Sequence, residues 1–106
     1  MMNAKQEFLE QVNNRGLICA ELQLGEYELD NSSSFLLKLN HTKAELQTFL
    51  ESINFNYDDG YGGQNLFGFI WHTGASWSER FEYDGAENWD FKEIPTIPQY
   101  LTQIML

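Results

Sequence analysis

The predicted fold is α+β: an antiparallel sheet of about five strands with helices packed on one face. Three observations point to it. Residues 56–94 hold all three Trp and most of the other aromatics, in alternating runs broken by Gly-containing turns, which is strand patterning. Residues 3–14 and 43–54 carry apolar side chains at helical spacing behind capping residues. The order of these elements contains no βαβ repeat, which argues against a doubly wound sheet.

At 106 residues the chain makes one domain, 1–106. That length buries roughly two-thirds of the unfolded surface. Cys19 is the single cysteine, so no internal disulfide forms. Its apolar setting, LICAEL, predicts a small buried thiol with no cation nearby to activate it. The N-terminal MMNAKQEFLEQV has no apolar h-region of a signal peptide, and no run approaches the ~20 apolar residues of a membrane span. The expected setting is the reducing cytoplasm. Six basic against sixteen acidic residues leave a formal charge of −10. Such a chain repels nucleic acid and anionic membranes, whose binding draws on Lys and Arg. It suits a basic protein partner, or serves simply to keep the chain in solution.

In chain order, Ala4, Phe8 and Val12 repeat at helical spacing, with Leu9 widening the stripe. Asn3 caps the start, Gln6 stands three residues on, and Asn14-Arg15-Gly16 ends the helix. Residues 17–29 predict a long strand, apolar on both sides in its first half, with Gly25 as a bulge. Asp30 to Ser34 predicts a turn, and Phe35 to Asn40 a second, antiparallel strand. Thr42 and Glu45 form a capping box for a helix over 43–54, with Leu46, Phe49, Leu50 and Ile53 on one stripe. Asn56 to Gln64 predicts a Gly- and Asp-rich loop with Tyr57 and Tyr61 flanking Asp58 and Asp59. Three strands follow, starting near Phe67, Trp77 and Trp89. The tail closes with a helical turn from Gln99 to Met105, started by Pro98 and packed down by Tyr100, Leu101, Ile104 and Met105.

Register follows from keeping aromatics together. Phe69 opposite Phe81 and Trp71 opposite Glu79 require an odd-length loop centred on Ala75. The same logic sets Tyr83 opposite Trp89 and Phe81 opposite Phe91. One face is then Phe67, Phe69, Trp71, Trp77, Phe81, Tyr83, Trp89 and Phe91, covered by the helices and tail. The other carries Ile70, His72, Ser78, Arg80, Glu82, Asp90 and Lys92.

From this map come the candidate ligand or interface residues: Trp71, Trp77, Glu79, Phe81, Tyr83, Trp89, Tyr61 and Arg80. Any part of the aromatic face left open would serve as a pocket or interface. Glu79, placed against Trp71, Trp77 and Phe81, would be desolvated and its pKa raised, unless the sheet's end leaves it in water. Arg80 has Glu82 or Asp90 as expected partners. No catalytic set is assigned, since His72, Arg80, Glu82 and Asp90 lack a nucleophile. No metal site is assigned either: His41 and His72 have no second ligand at zinc spacing. Asp58, Asp59, Asp84 and Glu87 lack the EF-hand order. Gly60-x-Gly62-Gly63 opens onto a strand and lacks the Lys of a phosphate loop, and no cofactor is expected.

The segment DDGYGGQNLFGFIWHTGASWSERFEYDGAENWDFKEIPTIP, residues 58–98, resembles small proteins encoded by phages and by mobile integron gene cassettes. The shared features are Asp-x-Gly-Tyr-Gly-x-Gln-x-Leu-Phe-Gly ending at Gly68, the turn from Gly74 to Trp77, Arg80 to Glu87, and an Ile-Pro at Ile94 or Ile97. Phe81 stands where the pattern has Gly, and Asn88-Trp89 where it has paired Trp. The resemblance implies a prokaryotic, mobile-element origin and an accessory role, with no activity or catalytic residues to carry over.

Charge and surplus aromatics together predict a small acidic protein-binding module, inhibitor- or immunity-like, acting as a homodimer on a basic partner. Mimicry of nucleic acid by the acidic surface is a variant of that function. The alternative is a small-molecule pocket lined by Trp71, Trp77 and Trp89. An enzyme using Glu79 or His72 as proton carrier is the third.

Overall fold

A computed structural model describes residues 2–25, 34–57 and 64–101. Its elements are β1 (Met2–Asn3), α1 (Ala4–Val12), β2 (Cys19–Leu24), β3 (Ser34–Leu37), α2 (Lys43–Ser52), β4 (Asn56–Tyr57), β5 (Leu66–His72), β6 (Ser76–Tyr83) and β7 (Ala86–Glu93). Five strands form one antiparallel sheet in the order β3-β2-β5-β6-β7, and β1 pairs with β4 in a separate two-stranded ribbon. The fold is α+β, with both helices on one side of the sheet.

Both helices begin where capping chemistry starts them. The Asn3 side chain accepts from Gln6 N–H at 2.9 Å. Thr42 and Glu45 complete a reciprocal capping box, which satisfies two backbone donors that a helix start otherwise leaves unpaired. Each helix buries a narrow stripe. Ala4 and Phe8 of α1 meet Phe49 of α2 and the adjacent Ile53, with the Phe8 and Phe49 rings 5.2 Å apart. Burying each of these phenyl groups stabilises the fold by about 2 kcal/mol. Ala20, Leu22, Leu37, Leu66 and Ile70 complete the core from the sheet. Leu9, expected on the buried stripe, is exposed.

Several boundaries differ from the sequence-based expectation. Among the described residues strand β2 spans Cys19–Leu24, and Gly25 follows it at φ +96°, donating its N–H to Asn65 O at 2.8 Å. Residues 26–33, which hold the expected strand end and most of the following turn, lie outside the described residues. Asn56 and Tyr57 belong to a strand and not to a loop, because β1 offers their backbone a partner across Met2↔Tyr57 and Asn3↔Asn56. The tail forms a 3-10 turn over Gln99–Leu101, but Tyr100 and Leu101 are exposed and do not pack down. Ile104 and Met105 lie outside the described residues.

Register is where expectation and structure part most. Strands β5 and β6 pair as Phe69↔Glu79 and Trp71↔Trp77, around a three-residue loop centred on Gly74 instead of Ala75. That offset of two residues leaves the faces unchanged. At the next hairpin, Asp84 and Gly85 take φ of +53° and +85° and close directly on Tyr83↔Ala86. Positive φ at both central residues is the two-residue turn whose twist matches the flanking strands. The expected register had left Asp84 to Asn88 as loop. The offset is therefore three, an odd number, and β7 turns over: Trp89 sits opposite Arg80, and Phe91 opposite Ser78.

The helices consequently cover the opposite side from the one expected. Ile70, His72, Ser78, Arg80, Trp89 and Phe91 face them. Phe67, Phe69, Trp71, Trp77, Phe81 and Tyr83 line the open side, with Glu21 and Leu36 from β2 and β3.

Gly68 makes the tightest approach in the sheet. It lies opposite Leu22 at φ +149°, and a Cβ there would stand 2.2 Å from Glu21 O and 2.9 Å from Leu22 Cα. Gly68→Ala must push β2 and β5 apart, and chemical denaturation should show a loss of about 2 kcal/mol or more. Gly25→Ala, with nothing within 4 Å of its Cβ position, should cost less.

Candidate functional site

Two groups of polar and aromatic residues compete as the functional site, one on each side of the sheet. The inner one is built around Arg80, whose side chain is fully buried. Strands β5 and β6 stop pairing at Phe69↔Glu79, so the backbone of Asn65 and Leu66 has no ladder partner on that side. Side chains fill the gap. The Glu87 carboxylate accepts from Asn65 N at 2.6 Å and from Leu66 N at 2.9 Å, while Leu66 O accepts from Arg80 Nε at 3.3 Å. Arg80 Nη2 donates to Glu87 Oε1 at 2.6 Å and to the Tyr57 hydroxyl at 2.7 Å. That hydroxyl donates in turn to Glu7 Oε1 in a short bond, and Arg80 Nη1 lies 3.6 Å from Glu7 Oε2. The Arg80 guanidinium also lies over the rings of Trp89 and Tyr57, at 5.2 and 5.6 Å.

A buried guanidinium is tolerated only when charge and hydrogen bonds surround it. Here they come from α1, β4 and β7 at once. Burial and the bond to Glu7 both push the Tyr57 hydroxyl pKa up, so it stays a neutral relay. The expected partners of Arg80, Glu82 and Asp90, are replaced by Glu87, Glu7 and Tyr57, because the β7 register turns Glu87 inward. Glu87 cannot serve a cation loop, since its carboxylate is committed to Arg80 and two amides. Arg80, Glu7, Tyr57 and Glu87 are all buried, and each is bonded within the cluster.

His72 is likewise buried. Its Nδ1 donates to Gly16 O at 2.8 Å, which leaves Nε2 to accept from Ser78 Oγ at 2.7 Å. Gln11 Nε2 donates to the same Ser78 oxygen at 2.7 Å, tying α1 to the sheet. The Ser78–His72 pair has the partners of a nucleophile and base, but Ser78 has no exposed surface.

The outer site is the open sheet face. Phe69 and Trp71 stack with centroids 5.7 Å apart and are 38% and 39% exposed. Phe81 (39%), Leu36 (61%) and Tyr83 (78%) extend the apolar surface along the sheet. At one end, Ile18, Cys19, Leu39, Trp71, Trp77 and Ile94 line a recess of about 420 Å³. Carboxylates stand among these side chains: Glu21 opposite Phe69, Glu79 opposite Phe69 on the other side, and Asp90 beyond it. Lys92 is the only cation among the strand residues of this face.

The face gathers five of the eight residues singled out from sequence: Trp71, Trp77, Glu79, Phe81 and Tyr83. Trp89 and Arg80 belong to the inner cluster, and Tyr61 lies outside the described residues. Leu36, Glu21 and Leu39 join the face unforeseen, although the alternation of β2 and β3 around Ala20, Leu22 and Leu37 would have placed the first two there. Cys19 sits half-buried at the recess instead of in the core. Burial and the Glu21 carboxylate raise its thiol pKa, so the thiol is not activated.

Glu79 is also not the raised-pKa acid that its aromatic neighbours imply. Lys92 Nζ stands 2.5 Å from Glu79 Oε1, and its hydrogen bond holds the carboxyl below the usual carboxylate range. The same bond pushes the Lys92 ammonium up.

Arg80→Met leaves Glu7 and Glu87 facing each other without a cation and should destabilise by about 3–5 kcal/mol; Arg80→Lys should recover only part, lacking the fork that reaches Leu66, Glu87 and Tyr57 together. Glu79→Gln should remove a small stabilisation, as expected of a surface pair. Because the Glu79 pKa is depressed on folding, that stabilisation exists above the unfolded carboxylate pKa of about 4.3 and disappears as pH falls through the folded value. Denaturation midpoints of wild type and Glu79→Gln should therefore differ at neutral pH and converge in acid.

No family model, no curated protein and no solved structure matches this chain.

Proposed function

We propose that the protein is a small binding module that docks a basic partner protein on the open face of its sheet. The observation that supports this is the composition of that face. Aromatic and aliphatic side chains lie uncovered in a contiguous row, and carboxylates outnumber cations among them. Exposed aromatics supply the anchors of protein interfaces. Rings beside carboxylates favour Arg and Lys in particular, through cation–π contact and ion pairing. The formal charge of −10 steers a basic surface toward the chain from a distance. Inhibition of a basic enzyme, as by an inhibitor or immunity protein, is the role that such a surface serves, and it accords with an accessory protein carried on a mobile element.

A second function is favoured by one feature, the apolar recess at Trp71 and Trp77. Its volume falls in the range of small-ligand sites. Trp89 takes no part in it, being on the other side of the sheet.

The test is affinity capture from a bacterial lysate at low and high salt, with wild type, Phe69→Ser and Glu21→Lys as baits. A basic protein held by wild type at low salt, released by salt and lost in both variants, is the expected result. Equal capture by all three baits would remove the open face from the interaction. Capture of nothing, together with a Trp fluorescence shift on adding an apolar dye that Trp71→Ser abolishes, would replace protein docking by the small-molecule recess.

A further inference from the structure

Strand β7 is one edge of the five-stranded sheet, and among the described residues nothing pairs with its outer side. The Asp84–Gly85 turn makes Tyr83↔Ala86 a hydrogen-bonded pair, and such pairs alternate along an antiparallel ladder. Ala86, Asn88, Asp90 and Lys92 thus bond to β6. Glu87, Trp89, Phe91 and Glu93 direct their N–H and C=O groups outward. Edges of this length are blunted by unpaired charges, a proline, a bulge or a covering segment, and β7 carries both Asp90 and Lys92, whose charges a suitable register can pair. Strand β7 has no proline, and its pairing runs without a break from Ser76↔Glu93 to Tyr83↔Ala86.

We propose that a second copy of this chain adds to β7 in antiparallel fashion about a two-fold axis at Phe91, joining two sheets into one. Charge selects that register among those centred on the strand. An axis at Asp90 would set two Asp90 carboxylates opposite each other. One at Lys92 would set two ammonium groups together, and one at Trp89 would leave Lys92 opposite Ala86. The axis at Phe91 places Asp90 opposite the second copy's Lys92, twice, on the open face. It also brings the two Phe91 rings together on the helix face. Like charges directly opposite destabilise a strand pair and unlike charges stabilise it. The side chains concerned are accessible: Asp90 is 48% and Lys92 44% exposed, and Phe91 is 36% exposed. Within the chain, Lys92 already lies 3.8 Å from Asp90, so the dimer forms a ring of four alternating charges. The assembly is independent of partner docking, and it doubles the open face into one continuous surface.

The experiment is solution mass by sedimentation equilibrium for wild type, D90K, K92D, the double variant D90K/K92D and an equimolar mixture of the two single variants. Wild type should be a dimer at micromolar concentration. Each single variant should dimerise about tenfold more weakly or worse, because like charges then face across the axis. The mixture should regain a heterodimer, each variant supplying the charge that the other lacks. The double variant should regain a homodimer, and it keeps a cation opposite Glu79, so folding is not the quantity being read. A monomeric wild type overturns the proposal. So does a dimer equally tight in both single variants, which would put the second copy on another surface. Neither result bears on capture of a basic partner.

Discussion

The burial of one guanidinium governs how the rest of the chain is arranged. Arg80 stands where two strands of the sheet stop pairing, and its charge must be answered there. Glu87 answers it from the next strand, Tyr57 from the short ribbon near the chain's middle, and Glu7 from the first helix. Glu87 and Arg80 also satisfy the backbone of Asn65 and Leu66. One cluster therefore fixes the end of the sheet, the placement of α1 and the pairing of β1 with β4. Removing any partner leaves a charge or an amide unpaired in a dry interior, which costs more than the bond itself contributes.

The helix-covered side of β6 and β7 is largely polar, and the aromatics of β5 and β6 point the other way. Beside the apolar Ala20, Leu22, Leu37, Leu66 and Ile70, the inner face carries His72, Ser78, Arg80 and Glu87, each hydrogen-bonded to helix or backbone. With the helices committed to that side, Phe69, Trp71, Phe81 and Tyr83 have nothing of the described chain above them. A sheet packed by helices on only one side normally turns polar residues to water. Here the uncovered side is the more aromatic of the two, and that inversion is what makes it a surface for another molecule.

Much of the architecture was legible in the sequence. The Thr42–Glu45 capping box located α2 to within two residues, and the five antiparallel strands of the main sheet followed from alternation and Gly-containing turns, while the β1–β4 ribbon did not. Grouping Phe67 with Phe69, Trp71 and Trp77 also held, because an offset of two residues preserves the faces. The face that is buried was not legible. Hydrophobicity alone assigns Trp and Phe to the interior, and no local pattern announces that an arginine will be neutralised by residues 73 positions before it and seven after it. Trp89 and Phe91 were misassigned for a narrower reason. The tight turn at Asp84–Gly85 was visible as a dipeptide, but aromatic matching was given precedence over turn geometry. Neither reading of Glu79 named Lys92, which reaches it diagonally across a hairpin whose register differs from the expected one.

The division of the three tryptophans has a practical consequence. Trp89 lies beneath the helices with the Arg80 guanidinium over its ring, while Trp71 and Trp77 line the open recess. The indoles thus report on two compartments of the same molecule. Trp71, 39% exposed, is the indole most open to a dissolved collisional quencher, while Trp89 is partly buried beside Arg80, so the native protein carries, without any label, one optical probe weighted to its surface and another weighted to its interior.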